Sequence, residues 1–503
     1  MARQSSGIPL SGIELDTRSE IPLYIQLYKG ISEMIFCKTL KIGDRLPSSR
    51  EIASDLDISR STVSYALDLL ISEGFIETHD RSGAYVSNAI HTELDEFNKN
   101  RLTAEDDQIA SPPKLSSRGE RLRIAPDPDL HIEDHIFDMG VPDFKSFPIK
   151  LWSSLYQKRL RSLDMSSVTY GDPAGYLPLR KNISRHLLTT RGIKCHPDQI
   201  LITSGVQQAT NLISSILLDK DDAVWVENPG PWVAESTFTA HGCKVIPVPV
   251  DQYGLVPDDA KDIKARLAFV TPTKHHPLNM PMSLDRRMKL LNWANQENSW
   301  IVEDDYSSEF RYEGPPLTPL YTLDTTSRVI YLGTFSKGLM PSLRIGYMVL
   351  PVQLAPIMVK GMSILYRSVP TLEQQVLSDF IEFGHFAKHT RRLRKLYGSR
   401  QKHLVKELRT HLSDHLSVEY SPSGFHIVAF FKDQSINEQD YKLYCESRKL
   451  APQVMGYYHS GNTPYQKGLL LGFAGTNSEE VSYGISVLKD AFKHINSYCQ
   501  VVT

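Results

Sequence analysis

The 503-residue sequence has few cysteines, no long apolar run and no excess of charge of one sign. Its five cysteines are widely spread and form no Cys-x-x-Cys pair, which argues against a disulfide framework or a zinc site and predicts a reducing cytoplasm. No run approaches the roughly 18 consecutive apolar residues of a membrane-spanning helix, so we expect no membrane partner. The 56 basic and 58 acidic residues nearly balance, so any binding to nucleic acid must come from a local patch.

Three regions differ in their residue patterns. Residues 1–88 combine short helical patterns with a small β-like tail, whereas residues 89–134 are polar, contain two adjacent prolines and predict a flexible linker. In residues 135–503, apolar runs of strand type alternate with longer amphipathic segments; QILIT at 199–203 and SWIVEDD at 299–305 are examples of the runs. This alternation predicts an α/β domain with a mainly parallel sheet.

The first region predicts a winged helix-turn-helix. Ser48 begins a capping-box pattern before a short helix, and Ser59 is a candidate cap for the next helix, at about 60–73. Residues 77–86 predict a two-stranded wing, and the second helix would enter the major groove of DNA by its N-terminal end. The residues expected at DNA are Arg45, Ser48, Arg50, Arg60, Ser61, Thr62, Tyr65 and Gly83, with Arg81 also on the wing. A protein-interaction domain is the alternative, because acids outnumber bases in this region.

Three stretches of this region carry a family resemblance. DRLPSSREIA at 44–53, SRSTV at 59–63 and Gly83 together resemble the DNA-binding domain of GntR-type bacterial regulators. The resemblance implies that double-stranded DNA is a partner. The residues that it implies at the DNA are Arg45, Ser48, Arg50, Arg60, Thr62 and Gly83.

A strand in the third region ends in the turn Gly-Thr-Phe-Ser-Lys at 333–337. An amine at Lys337, among small hydroxyl residues, can form a Schiff base with an aldehyde cofactor. Thr334, Ser336 and Arg344 are then candidate phosphate ligands, with the guanidinium as a charged donor. A surface turn with an ordinary solvated lysine is the alternative interpretation.

Two further strand ends carry candidate ligands. Asp304 and Tyr306 follow a buried strand, where a carboxylate can pair with a protonated pyridine nitrogen and a tyrosine can bond a phenolic oxygen; a helix-capping acid is the alternative. Gly205, Val206 and Gln207 lie where a strand turns into a helix, and the N–H groups at a helix start bind anions. The second signal is weak alone, since many such turns contain glycine.

Together with YGDPAGYLPLR at 170–180 and ENPG at 227–230, these segments resemble fold-type I aminotransferases. A GntR-like head on such a body resembles the MocR subfamily of regulators. The resemblance implies pyridoxal 5′-phosphate (PLP) as cofactor, held as a Schiff base on Lys337, with Asp304 at its N1 and Tyr306 at its O3′. It also implies a head-to-tail homodimer. The residues implied around the phosphate are Gly205, Val206, Gln207, Ser336 and Arg344.

The sequence departs from the pattern of that family at three places. Trp232 comes one position later than the aromatic residue that usually covers the cofactor ring, and Lys274 replaces the usual histidine beside the cofactor. Leu470 lies near the place of an arginine that often holds a substrate carboxylate, and residues 451–474 contain no arginine. Because arginine binds carboxylates through a planar fork, we do not expect an amino-acid effector.

The resulting hypothesis is a cytoplasmic transcription regulator whose promoter binding responds to PLP and serves vitamin B6 supply, as in PdxR-like members of the subfamily. One alternative is a regulator that senses an amino acid or a sulfonate through PLP. Another is an active aminotransferase with an accessory DNA-binding head. The absent arginine disfavours steady turnover, so we expect at most a transaminase half-reaction.

Overall fold

A computed structural model describes residues 10, 12–79, 83–88, 114–126, 135–163, 169–461 and 464–501. The chain divides into two compact units between Lys114 and Leu115, and each unit has a buried apolar core of its own. None of the helices in these ranges has both the length and the apolar character needed to cross a bilayer.

The first unit is a winged helix-turn-helix, as the sequence predicts. Its helices are α1 (Leu23–Phe36), α2 (Ser49–Asp55) and α3 (Arg60–Ser72), and its strands are β1 (Ile76–His79) and β2 (Gly83–Val86). The strands pair antiparallel and form the wing. Leu27, Ile31 and Ile35 repeat every four residues, so they share the face of α1 that packs against α3.

Serine side chains cap both helices of the paired motif. Ser48 Oγ accepts a hydrogen bond from the Glu51 N–H, and Glu51 Oε2 accepts one from the Ser48 N–H at 2.7 Å, which is the capping box that the sequence predicts. Ser59 Oγ accepts from the Thr62 N–H at 3.1 Å. These caps fix where α3 begins, and therefore which side chains lie at its N-terminal end.

The second unit alternates helices and strands. Its helices are α4 (Ser117–Arg123), α5 (Ile149–Arg161), α6 (Leu177–Arg191), α7 (Val206–Leu217), α8 (Trp232–His241), α9 (Leu284–Gln296), α10 (Leu320–Leu323), α11 (Ala355–Leu365), α12 (Thr371–Glu382), α13 (His385–His411), α14 (Glu438–Glu446) and α15 (Ser478–Val501). Its strands are β3 (Ile200–Thr203), β4 (Ala223–Asn228), β5 (Lys244–Asp251), β6 (Gly254–Leu255), β7 (Leu267–Val270), β8 (Trp300–Asp304), β9 (Val329–Thr334), β10 (Gly346–Val349), β11 (Leu416–Val418), β12 (His426–Phe431), β13 (Gln453–Val454) and β14 (Gly468–Gly472).

The large sheet has the strand order β3-β10-β9-β8-β7-β4-β5-β6. Strands β9, β8, β7, β4 and β5 run parallel, and β10 is antiparallel to both β3 and β9. Runs such as ILIT in β3 and LAFV in β7 are fully buried, as expected for strands covered by helices on both faces. The mainly parallel α/β fold is thus confirmed. Because β3 has the direction of β8 and β9, the carboxyl ends of all three lie at one edge, where α/β sheets bind ligands.

A second, antiparallel sheet has the order β11-β12-β14-β13, and helices α13, α14 and α15 contribute to its core. The segment before α5 joins this sheet. Phe137 is fully buried in the core, and its carbonyl accepts a hydrogen bond from the Gly472 N–H at 2.8 Å. The next residues, 138–140, are thereby held beside the end of β14.

Helix α4 lies inside the segment 89–134 that the sequence predicts as a flexible linker. Residues 89–113 and 127–134 fall outside the described residues. In the described part, Ser116 caps α4, and Arg121 donates two hydrogen bonds to the Ala240 carbonyl, at 3.1 and 3.3 Å. Residues 114–126 thus contain a capped helix held by a tertiary contact, which their polar composition did not indicate, and the linker over 89–134 stays a prediction.

Candidate functional site

The carboxyl ends of β3, β8 and β9 open into a cavity of about 500 Å³. Residues from all three ends lie on its wall, together with the turn after β9 and the start of α8. The residues with a predicted cofactor role that line it are Gly205, Val206, Gln207, Trp232, Asp304, Tyr306, Thr334, Ser336, Lys337 and Arg344. The structure therefore brings together three motifs that lie far apart in the sequence.

One end of the cavity can hold an anion. Gly205 precedes α7 with a φ of 112°, which a residue with a side chain rarely adopts, and a Cβ there would come to 3.6 Å from the Arg344 guanidinium. The Arg344 Nη2 lies 3.5 Å from Gln207 Oε1, and the Ser336 N–H donates to Thr334 Oγ1 at 3.2 Å. The start of a 12-residue helix, hydroxyl groups and a guanidinium are together suited to a phosphate.

Lys337 is the amine of the cavity. Its Nζ donates to the Met139 carbonyl at 3.4 Å, a long hydrogen bond. Burial lowers the pKa of Lys337, while the Asp138 carboxylate acts in the opposite direction. A lowered pKa increases the neutral fraction of an amine, and the neutral amine is the nucleophilic form.

One oxygen of the buried Asp304 carboxylate lacks a partner among the described residues. Its Oδ1 has no hydrogen bond among the described residues, whereas the next residue, Asp305, is bonded to Arg191 at 2.5 Å and to the Tyr331 hydroxyl at 2.7 Å. Burial and the Asp305 charge raise the pKa of Asp304 to about 7. The Tyr306 hydroxyl also has no hydrogen bond within 3.5 Å among the described residues, although the nearby Ser307 side chain acts to lower its pKa against the larger effect of burial. A ring with a protonated nitrogen and a phenolic oxygen would satisfy both groups, so the wall fits PLP.

Lys274 lies outside the cavity wall, although the sequence predicts it beside the cofactor. Its side chain is 3% exposed and packs on Gly424, and its Nζ has no hydrogen bond among the described residues. Burial and the nearby Lys337 lower the pKa of Lys274 to about 7. The same stretch contributes His276 to the wall instead, and His426 joins it from β12.

Trp232 lines the cavity as the first residue of α8. Its ring meets that of Tyr457 edge to face, with the centroids 5.2 Å apart. The displaced aromatic residue thus reaches the wall; its role as a cover for a cofactor ring stays a prediction.

Sequence reasoning missed several wall residues: Asp138, Gly140, His276, His426, Gln453, Tyr457 and Tyr458. Most of them come from the segment before α5 or from the second sheet, so only the tertiary fold brings them to the cavity. His276 had a local signal, because it stands in the TPTKHHPLN stretch at 271–279.

In the first unit, the predicted DNA-contact residues cluster around the start of α3 and the wing. Arg60 Nε donates to Ser49 Oγ at 3.3 Å, and Tyr65 is 65% exposed. Gly83 has a φ of 108°, and a Cβ there would come to 3.2 Å from Arg45 Nε, so Arg45 lies along the wing. Arg50, Ser61 and the partly buried Thr62 complete this surface near the capped helix starts, where Ser48 is also exposed, while Arg81 lies outside the described residues.

Two family models match the chain. Residues 138–488 match aminotransferase class I and II, and residues 23–86 match the gntR family of bacterial regulatory proteins. Fold and cavity thus define an aminotransferase-like domain of the PLP-dependent class in a chain that also has a DNA-binding winged helix-turn-helix.

Individual relatives agree with this class. The probable rhizopine catabolism regulatory protein MocR of Rhizobium meliloti is 35% identical over 486 residues, which cover 96% of each chain. The pyridoxine biosynthesis transcriptional regulator PdxR of Corynebacterium glutamicum is 29% identical over 95% of this chain and 98% of that protein. The structure of Pyrococcus horikoshii kynurenine aminotransferase matches with a TM-score of 0.66 and 25% identity, over 79% of this chain and 99% of that chain. The chain belongs to the MocR subfamily of GntR-type transcription regulators, whose cofactor is PLP.

Proposed function

We propose that promoter binding by this regulator responds to PLP captured at Lys337. The observation that supports the proposal most is a buried carboxylate, Asp304, without a hydrogen-bond donor at its Oδ1, on the wall of the cavity that also contains a buried amine. A cationic ring nitrogen would donate the missing hydrogen bond to Asp304, and the aldehyde of PLP would react with the Lys337 amine.

Several other residues of the wall have a role in this proposal. Arg344, Ser336 and the N–H groups at the start of α7 bind the phosphate. Tyr306 donates to the phenolic oxygen, and Trp232 covers one face of the ring. Asp304 is the last residue of β8, and Lys337 lies in the turn after the neighbouring parallel strand β9, so the two paired strands bring the amine and the acid to the same edge of the sheet.

The regulatory response requires two arrangements of the protein that bind PLP with different affinity. We propose that the working unit is a cytoplasmic homodimer, assembled head to tail, that binds two promoter half-sites. PLP then changes promoter occupancy by favouring one arrangement. The similarity to PdxR of Corynebacterium glutamicum, a regulator of pyridoxine biosynthesis, supports vitamin B6 supply as the regulated process.

The test is the affinity of the full chain for DNA from upstream of its own coding region, measured with and without PLP. We expect PLP to change the affinity by about tenfold, within the usual range of coupling between sites. Lys337→Ala should abolish the visible absorbance of bound PLP and the change in affinity together. Lys360→Ala, which removes an exposed lysine away from the cavity wall, should leave both intact.

Two outcomes would contradict the proposal. One is wild-type protein that binds PLP but has the same DNA affinity with and without it. The other is steady turnover of an amino donor, which would indicate the alternative of an active aminotransferase. A DNA response that requires an amino acid or a sulfonate in addition to PLP would support the alternative sensor.

A further inference from the structure

The part of the cavity wall not assigned to PLP carries a negative charge. With Arg344 assigned to the phosphate and Asp304 to the ring nitrogen, the acid that remains on the described wall is Asp138, and Lys337 is the only remaining lysine or arginine. His276 adds no positive charge near neutral pH, because burial lowers its pKa to about 3. Burial also lowers the pKa of His426 well below its usual value.

Asp138 occupies a backbone donor of this part of the wall. Its Oδ1 accepts a hydrogen bond from the Gly140 N–H at 2.6 Å, and both residues line the cavity. The backbone here is fixed by β14, since the Gly472 N–H bonds to the Phe137 carbonyl, and a Cβ at Gly472 would overlap the Asp138 carbonyl. The chain thus places its own carboxylate at this backbone N–H.

Gln453 adds a neutral acceptor to the same wall. Its side chain is 8% exposed, and its Oε1 has no hydrogen bond among the described residues. It lies on β13 opposite Leu470, the residue near the expected place of a carboxylate-binding arginine. Because an unsatisfied buried amide oxygen is costly, a hydroxyl or ammonium donor from a ligand would stabilise this arrangement.

Lys274 does not replace the absent arginine. It lies outside the wall, packed on Gly424, and its Nζ has no hydrogen bond among the described residues. A ligand carboxylate would therefore lie near Asp138 on a wall whose two cationic residues, Lys337 and Arg344, are already assigned to PLP.

We propose that this part of the cavity selects a primary amine whose other polar groups are hydroxyl or ammonium groups, and rejects amines that carry a carboxylate. Asp138 is the specificity-determining residue, because it accepts hydrogen bonds from such donors and repels an anion. The inference rests on the proposed binding of PLP, which uses the two other charged groups of the wall.

Three ligands of similar length test the proposal: 4-aminobutan-1-ol, 1,4-diaminobutane and 4-aminobutanoate. Each is titrated by calorimetry into the PLP-loaded full chain. We expect the alcohol and the diamine to bind about tenfold or more tightly than the carboxylate, the size of one lost charge-assisted hydrogen bond. Asp138→Asn should reduce that ratio about tenfold, since the amide keeps an acceptor for Gly140 but loses the charge. Asp414→Asn, which removes an exposed acid outside the wall, should keep the ratio.

The outcomes separate this inference from the proposed function. If 4-aminobutanoate binds the wild type as tightly as the alcohol, or if Asp138→Asn leaves the ratio unchanged, the inference is wrong even when DNA binding responds to PLP. If the expected order of ligands holds but DNA affinity ignores PLP, the proposed function is wrong and the inference stands. A chain that takes up no PLP, shown by its absorbance, overturns both.

Discussion

Asp304 and Lys274 are buried ionisable groups whose pKa values move in opposite directions toward 7. In both cases burial disfavours the charged form, and neither Asp304 Oδ1 nor Lys274 Nζ has a hydrogen-bond partner among the described residues that would stabilise the charge. For a carboxyl group with a raised pKa, the folded chain binds the proton more tightly than the unfolded chain. Its contribution to stability is therefore present at low pH and is lost as pH rises from the unfolded value toward 7.

Asp304→Asn tests this consequence. In the PLP-free chain, we expect wild type to lose more stability than the variant between pH 5 and pH 8, by on the order of a few kcal/mol. The measurement is the free energy of unfolding in urea at both pH values. Comparing the two proteins cancels the contribution of titrating groups that do not interact with Asp304. Glu227 is not one of them, because its pKa is raised to about 8 by burial and in part by the Asp304 charge, so the difference reports the coupled pair. Equal pH dependence of wild type and variant would show that burial does not raise the pKa of Asp304.

At the scale of single elements, the sequence predicts well wherever the signal is local. The capping box at Ser48, the strand end at Asp304 and the turn that contains Lys337 lie within short contiguous motifs, so their positions follow from the local sequence. Asp138 and Gln453 could not be predicted, because the hydrogen bonds of β12, β13 and β14 bring them to the cavity. Helix α4 escaped prediction for a similar reason: its partner, Ala240, lies 119 residues away.

Arg121→Ala tests whether that partner holds α4. The substitution removes two hydrogen bonds to the Ala240 carbonyl, and a helix of only seven residues has little stability of its own. We expect amide hydrogen exchange across Ser117–Arg123 to become about tenfold faster, the effect of losing roughly 1.4 kcal/mol. Arg123→Ala is the matched control, because Arg123 pairs with the exposed Glu120 within the same helix. Equal exchange in both variants would mean that other contacts hold the helix.

At the scale of the whole molecule, a response of DNA binding to PLP is a coupling free energy between two sites on different units. Such coupling is reciprocal: if PLP changes DNA affinity by a given factor, DNA must change PLP affinity by the same factor. We expect the dissociation constant of PLP, measured by absorbance, to shift about tenfold when saturating upstream DNA is added. Arg60→Ala should weaken DNA binding if the start of α3 enters the groove, and the shift should then require more DNA. The contradicting outcome is a DNA affinity that changes with PLP while the PLP affinity measured by absorbance does not change with DNA. That outcome would show that the response arises at a site other than Lys337, for example at exposed lysines that contact the DNA phosphates.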